Sequence, residues 1–142
     1  MSTTAEYADF TQKLIAEFRA NEGKVSLDPF KGSALLLLTT TGARTGLART
    51  TPVAYARDGE HYTVIASKGG APTHPAWYLN LVANPIVTVE VGAETFKASA
   101  SVPAGAERRR LYDAQAALMP GFAEYEKGTE REIPVVVLQR IG

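Results

Sequence analysis

The chain contains no cysteine, which removes disulfides, thiolate nucleophiles, zinc knuckles and iron–sulfur ligation together and fits a reducing compartment. It has no excess charge of either sign, because 15 Lys and Arg balance 15 Asp and Glu. No global field therefore drives it onto the phosphates of DNA or RNA, and no nucleic-acid partner is expected. It also has no long apolar run. Ala34 to Leu38 is far short of the roughly 20 residues that span a bilayer, and the N-terminus MSTTAEYADF lacks the charged-then-apolar order of a secretory signal. A cytoplasmic protein is the expectation. The G-x-G-x-x-G, P-loop, S-x-x-K and G-x-S-x-G spacings are missing as well. His61 lies in an alternating strand pattern and His74 precedes Pro75, neither paired at i, i+4 with another ligand type. Neither a metal site nor covalent hydrolysis is expected, and both histidines read as structural or surface residues.

What is present reads as one domain over the 142 residues, with no repeat and no dividing linker. Thr3 with Glu6 has capping-box spacing, and Tyr7, Phe10, Leu14 and Phe18 follow at steps of three and four, so an amphipathic helix is predicted to about Gly23. Its apolar stripe is expected to pack on the core, with a peripheral membrane contact as the other reading. Asp28-Pro29 breaks the pattern. Strands are predicted at 35–40, 50–56 and 61–67, the last two joined by an Asp58-Gly59 turn. A short helix over 75–82 should place Trp77, Leu81 and Val82 on one face, with Asn84-Pro85 ending it. A hairpin of strands 86–91 and 95–102 turns around Gly92. A helix over 104–118, an interruption at Met119-Pro120-Gly121, a helical turn holding Phe122 and Tyr125, and a strand over 133–141 complete the chain. Six strands with hairpin connections and helices at the ends favour an α+β fold around a closed or partly closed antiparallel barrel.

The chemistry-bearing residues gather in the middle of the chain. Between Lys31 and Arg57 there is no acidic residue, whereas Lys31, Arg44, Arg49 and Arg57 are basic. Within that stretch, Thr39-Thr40-Thr41-Gly42-Ala43-Arg44-Thr45-Gly46 reads either as an anion clamp or as a plain turn with solvated arginines. In the clamp reading, free backbone N–H groups and two guanidinium groups receive phosphate or carboxylate. Ser67-Lys68-Gly69-Gly70, followed by Trp77 and Asn80, suits a planar anionic ligand: paired glycines admit close approach, Lys68 adds charge and Trp77 offers a flat wall. The bland reading is a flexible turn, a surface lysine and a core tryptophan.

The runs LLLLTTTGARTGLARTTPVAY, IASKGGAPTHPAWYLNLVANP and IPVVVLQR resemble the deazaflavin-dependent nitroreductase family, a branch of the split β-barrel flavin and deazaflavin oxidoreductases. The resemblance covers residues 34–142 and implies an FMN-binding-like split antiparallel barrel, with an N-terminal helix over 1–24 and C-terminal helices packed on it. It also implies coenzyme F420 as hydride carrier, a quinone, unsaturated carbonyl or nitro compound as acceptor, and a homodimer. Arg44 and Arg49 would then hold the cofactor's phosphate or tail, Ser67, Lys68, Gly69, Gly70, Trp77 and Asn80 would line the deazaflavin, and Pro52 and Ala54 would lie near the ring. Met119, Phe122 and Tyr125 would form the substrate wall, with Tyr125 and Ser67 as the catalytic residues and Tyr125 donating a hydrogen bond to the developing anion. Ala43 stands where relatives often carry a second basic residue. Met119 and Phe122 stand where nitroimidazole-reducing relatives are richer in tyrosine, which favours a bulky apolar acceptor. The competing readings are an FMN-dependent oxidoreductase on the same barrel and a non-catalytic carrier of F420 or an apolar ligand.

Overall fold

The computed structural model describes residues 4–26, 34–71 and 73–141. The capping role of Thr3, the Asp28-Pro29 break, Lys31 and Pro72 fall outside them. Helix α1 (Thr4–Ala20) is followed by strands β1 (Leu35–Thr41), β2 (Ala48–Asp58) and β3 (His61–Ile65), then α2 (Ala76–Ala83). The hairpin β4 (Ile86–Val91) and β5 (Glu94–Ser101), helices α3 (Gly105–Leu118) and α4 (Gly121–Lys127), and β6 (Val135–Arg140) follow. The strands close into an antiparallel barrel in the order β1-β2-β3-β6-β5-β4.

The uninterrupted leucines of β1 follow from burial on both faces. Leu36 and Leu38 point into the barrel beside Val64, Val89, Phe96 and Leu138. Leu35 and Leu37 point outward against Leu14, Ile15 and Phe18 of α1. A strand so enclosed has no solvent face, and the usual alternation disappears. The apolar stripe of α1 is thus spent on the barrel wall, each side chain contributing about 1.5–3 kcal/mol by its burial. On the opposite wall, Leu111 and Tyr112 of α3 cover Ile65, Ile133 and Val135.

Two local expectations are corrected. Asp58 pairs with His61, so the hairpin turn is Gly59-Glu60, one residue later than predicted, because the strand pairing extends through Asp58. In α2, Trp77 and Leu81 are buried one turn apart. Val82 is 58% exposed, because the next residue after Leu81 rotates about 100° away from the face that Leu81 buries.

The barrel is open along part of one edge. β2 pairs with β1 from Ala48 to Ala54 but with β3 only from Tyr55 to Asp58. The Tyr55 N–H donates to the Ala34 carbonyl at 3.1 Å, so odd-numbered amides of this strand face β1 and even-numbered ones face the opening. Pro52 occupies an even position, where its missing N–H removes no ladder bond. β1 and β3 both run antiparallel to β2. Their C-terminal ends therefore share one end of the barrel with the N-terminal ends of β4 and β6, and the turns at that end build the site.

Candidate functional site

At that end, the turn after β1 folds on itself. The Gly42 N–H donates to the Leu47 carbonyl at 2.8 Å and the Gly46 N–H to the Gly42 carbonyl at 3.0 Å. Asn80 of α2 reaches across to it, its Oδ1 accepting from the Ala43 N–H at 3.0 Å and its Nδ2 donating to the Thr40 hydroxyl at 3.3 Å. The turn and the helix enclose a cleft of about 590 Å³, with Arg44, Arg49, Thr51, Trp77, Leu79 and Asn80 among its lining residues. Trp77 is only 8% exposed and belongs mainly to the barrel core, and it reaches the cleft with the little that stays exposed.

Charge distinguishes this cleft. The other arginines bond carboxylates, carbonyls or a tyrosine hydroxyl: Arg19 with Glu90, Arg57 with Tyr62, Arg109 with Asp113 and Glu126, Arg110 with Asp58 and Glu107, and Arg140 with Glu94. Arg108 and Arg131 bond backbone carbonyls. Among the described residues, the side chains of Arg44 and Arg49 are the only arginine side chains without a hydrogen-bond or ion-pair partner. Two unneutralised guanidinium groups on one concave surface have the chemistry to bind phosphate or carboxylate oxygens.

The second cluster is the loop that leaves β3. Ser67 is buried in the right-handed helical region (φ −76°, ψ −38°), and Lys68 follows at φ +50°. Gly70 sits at φ +82°, and a Cβ there would stand 3.2 Å from the Tyr125 carbonyl oxygen and 3.3 Å from its Cα. Only glycine lets α4 approach this closely. The Tyr125 ring packs edge-on against Phe122, centroids 5.8 Å apart, and the residue is 38% exposed.

A family model described as F420H(2)-dependent quinone reductase matches residues 11–140. The chain belongs to that family. An F420H(2)-dependent quinone reductase of Mycobacterium tuberculosis is 41% identical over 128 residues, covering 88% of this chain and 86% of the relative. A solved F420-H2 dependent reductase is 36% identical with a TM-score of 0.70, covering 82% of this chain and all of that one. A second solved structure, described as a domain-swapped dimer, is 33% identical with a TM-score of 0.72 over 96% of this chain and 100% of its own. The haem storage protein HutZ of Vibrio cholerae, 17% identical with a TM-score of 0.60, shares the fold alone. The expected kinship with deazaflavin-dependent reductases holds, and the family description names a quinone.

In this quinone-reductase family chain, the structure gathers Arg44, Arg49, Trp77 and Asn80 around one cleft, and brings the Lys68–Gly70 turn that follows Ser67 against α4, with Gly70 beside Tyr125. Pro52 and Ala54 lie on the partly unpaired strand between them. Ala54 packs toward α1, and its carbonyl accepts from Gln115 Nε2 at 3.5 Å. Neither residue lines the cleft. Met119 caps α3, its carbonyl accepting from the Phe122 N–H at 3.1 Å, and Phe122 packs beneath α3. Lys68 is exposed, and its Nζ donates to the Thr73 hydroxyl at 3.1 Å.

Sequence reasoning missed Arg131. Its Nε donates to the Ala71 carbonyl at 2.8 Å, and its Nη2 to the Ser67 carbonyl at 2.6 Å and the Ala66 carbonyl at 3.2 Å. Nη1 lies 3.1 Å from His74 Nδ1. A guanidinium only donates, so His74 accepts through Nδ1 and carries its proton on Nε2. Burial, with the neighbouring Arg131 charge, holds His74 below the ordinary histidine range. Nothing in the Glu130-Arg131-Glu132 triplet marked its middle member as an internal anchor, because its partners stand some sixty positions earlier.

Proposed function

We propose that this chain is an oxidoreductase that uses reduced coenzyme F420 to reduce a quinone, with the cofactor's anionic tail at Arg44 and Arg49. Its ring would lie between the open edge of β2 and the Ser67–Gly70 loop. The observation that carries this reading is the pair of partnerless arginines in the cleft beside Trp77, the arrangement that a flat ring with a phosphorylated, carboxylate-bearing tail requires. Family membership and the named relatives support the same reading.

When bound, reduced F420 supplies the hydride. The protein's own part is positioning and electrostatics. Asn80 fixes the turn that carries Arg44, so the tail meets a preformed receptor. The open edge of β2 at Pro52 would face the ring, with Ala54 beside it held by Gln115. Ser67 and Lys68 offer backbone N–H groups at its polar rim. Met119 and Phe122 supply an apolar wall that favours a quinone over a small nitroimidazole, and Tyr125 donates a hydrogen bond to the acceptor oxygen on which negative charge develops. The relative described as a domain-swapped dimer supports a homodimer, which light scattering of the purified protein would establish or remove.

The test is turnover of F420H2, followed by return of deazaflavin fluorescence, with quinone, unsaturated carbonyl and nitroimidazole acceptors, and with reduced FMN as the competing donor. Quinone-dependent oxidation of F420H2, absent with FMN, is the expected result. Oxidation by nitroimidazoles alone would refute the apolar wall. Tight F420 binding without turnover of any acceptor would indicate a carrier instead.

A further inference from the structure

Arg131 stands behind the cofactor loop, not in it. It is partly buried, no carboxylate among the described residues accepts from it, and three of its hydrogen bonds end on carbonyls of one short segment, those of Ala66, Ser67 and Ala71. The adjacent Glu132 faces Arg108 at 3.5 Å instead. In a trans peptide the C=O and N–H groups point in opposite directions. Turning the Ala66 and Ser67 carbonyls onto Arg131 therefore turns the N–H groups of Ser67 and Lys68 away from it. Those two residues form a right-handed then left-handed pair, φ −76° and φ +50°, the backbone shape in which successive N–H groups converge on an anionic or electron-rich atom.

A left-handed lysine is disfavoured when nothing imposes it. The imposed restraint is visible: the Gly70 N–H returns to the Ser67 carbonyl at 3.0 Å, and that oxygen also receives Arg131 at 2.6 Å. We propose that Arg131 is a positioning residue for cofactor binding, which gathers the carbonyls of Ala66, Ser67 and Ala71 and thereby holds the Ser67–Lys68 amides as a preformed receptor for the electron-rich rim of the ring. The inference rests on the reading of this loop as the ring site. It assigns to α4's C-terminal connection, far from the loop in sequence, the task of setting the loop's shape. His74 completes the clamp by accepting from Nη1 while its ring packs tilted against Tyr78, centroids 4.8 Å apart.

The experiment compares wild type, Arg131→Lys and Arg131→Gln in two measurements: amide hydrogen exchange of residues 66–71 in cofactor-free protein, and affinity for F420 by fluorescence titration. In Arg131→Gln, exchange at 66–71 is expected to rise while strands β1 and β4 stay protected, and F420 affinity to fall about tenfold or more, since charge-assisted bonds are lost at three carbonyls. Arg131→Lys, which keeps the charge but offers one ammonium in place of the planar fork, should fall between the two in both measurements. If Arg131→Gln fails to fold, the lysine variant carries the test alone. Unchanged exchange at 66–71 in the folded variant, or wild-type F420 affinity with raised exchange, would overturn the proposal. Absence of F420 binding to the wild type would instead overturn the functional reading, and the exchange measurement would still report on the clamp.

Discussion

A residue's role here is set by where its hydrogen bonds end. Arg44 and Arg49 end nowhere within the described protein, whereas Asn80 is fully engaged, its amide spanning Ala43 and Thr40. Asn80 was legible in the sequence as a site residue, but its contacts make it a strut for the turn before any ligand is considered. Asn80→Leu should therefore weaken F420 binding about tenfold through loss of turn order, while costing only ~1 kcal/mol of stability, because the freed Ala43 N–H is exposed to water. Asn80→Asp keeps the acceptor for Ala43 and should lie between. Thermal melts beside F420 titrations separate the two effects, and a stability loss without an affinity loss would remove the strut role. Arg131 and Gln115 were not legible. The fully buried Gln115 accepts from the Thr63 hydroxyl at 3.2 Å and supports the Ala54 carbonyl at the open edge, yet in sequence it is one polar residue in an alanine-rich helix.

At the scale of elements, most of the fold could be read directly, because its signals are local. The steps of three and four in α1, the leucine run of β1 and the turn residues around Gly59 and Gly92 each declare an element. What could not be read was the partial pairing of β2, since a strand's sequence does not say which of its edges is left open; Pro52 was the one clue. The docking of α1 onto the β4–β5 turn was likewise invisible. Gly23, at φ +92°, comes so close that an added Cβ would lie 2.9 Å from the Gly92 Cα and 3.0 Å from its N. Gly23→Ala should destabilise the fold by about 1–3 kcal/mol, through the positive φ and the backbone clash together. At Gly92 the nearest atom to an added Cβ is the Glu22 carbonyl oxygen at 3.8 Å, so Gly92→Ala should cost less. Equal melting temperatures for the two variants would contradict this docking. Because α1 buries Leu14, Ile15 and Phe18 against β1, removing the helix should expose that apolar wall and produce aggregation.

For the whole molecule, the arginines that are paired give it a defined pH response. Hydrogen bonds from Arg110 hold the Asp58 and Glu107 carboxyl groups below the ordinary carboxylate range, and those from Arg109 and then Arg108 hold Glu126 there. Groups with lowered folded values stabilise above the unfolded value, about pH 4, and lose that contribution as pH falls through the folded one. His74, also lowered, stays neutral in the fold while the unfolded chain takes up its proton near pH 6.5, so stability declines in that range too. The melting temperature should therefore fall gently from about pH 7 to 5.5 and steeply below about pH 4. Glu126→Gln should soften the acid step and His74→Gln remove the gentle one. A melting temperature that rises on acidification would invert the assigned signs.

On the proposed function, one cleft receives the anionic tail of F420 on two arginine side chains that no described residue pairs. The most direct measurement is a fluorescence titration of oxidised F420 into the wild type and into the Arg44→Ala, Arg49→Ala double variant at two salt concentrations. Saturable wild-type binding that weakens with salt, and at least a hundredfold loss in a variant whose melting temperature is unchanged, is the predicted result, since each charge-assisted bond to an anion contributes about 1.5–3 kcal/mol and neither side chain supports the fold. Equal affinity of the two proteins for F420 would place the cofactor elsewhere and contradict the account.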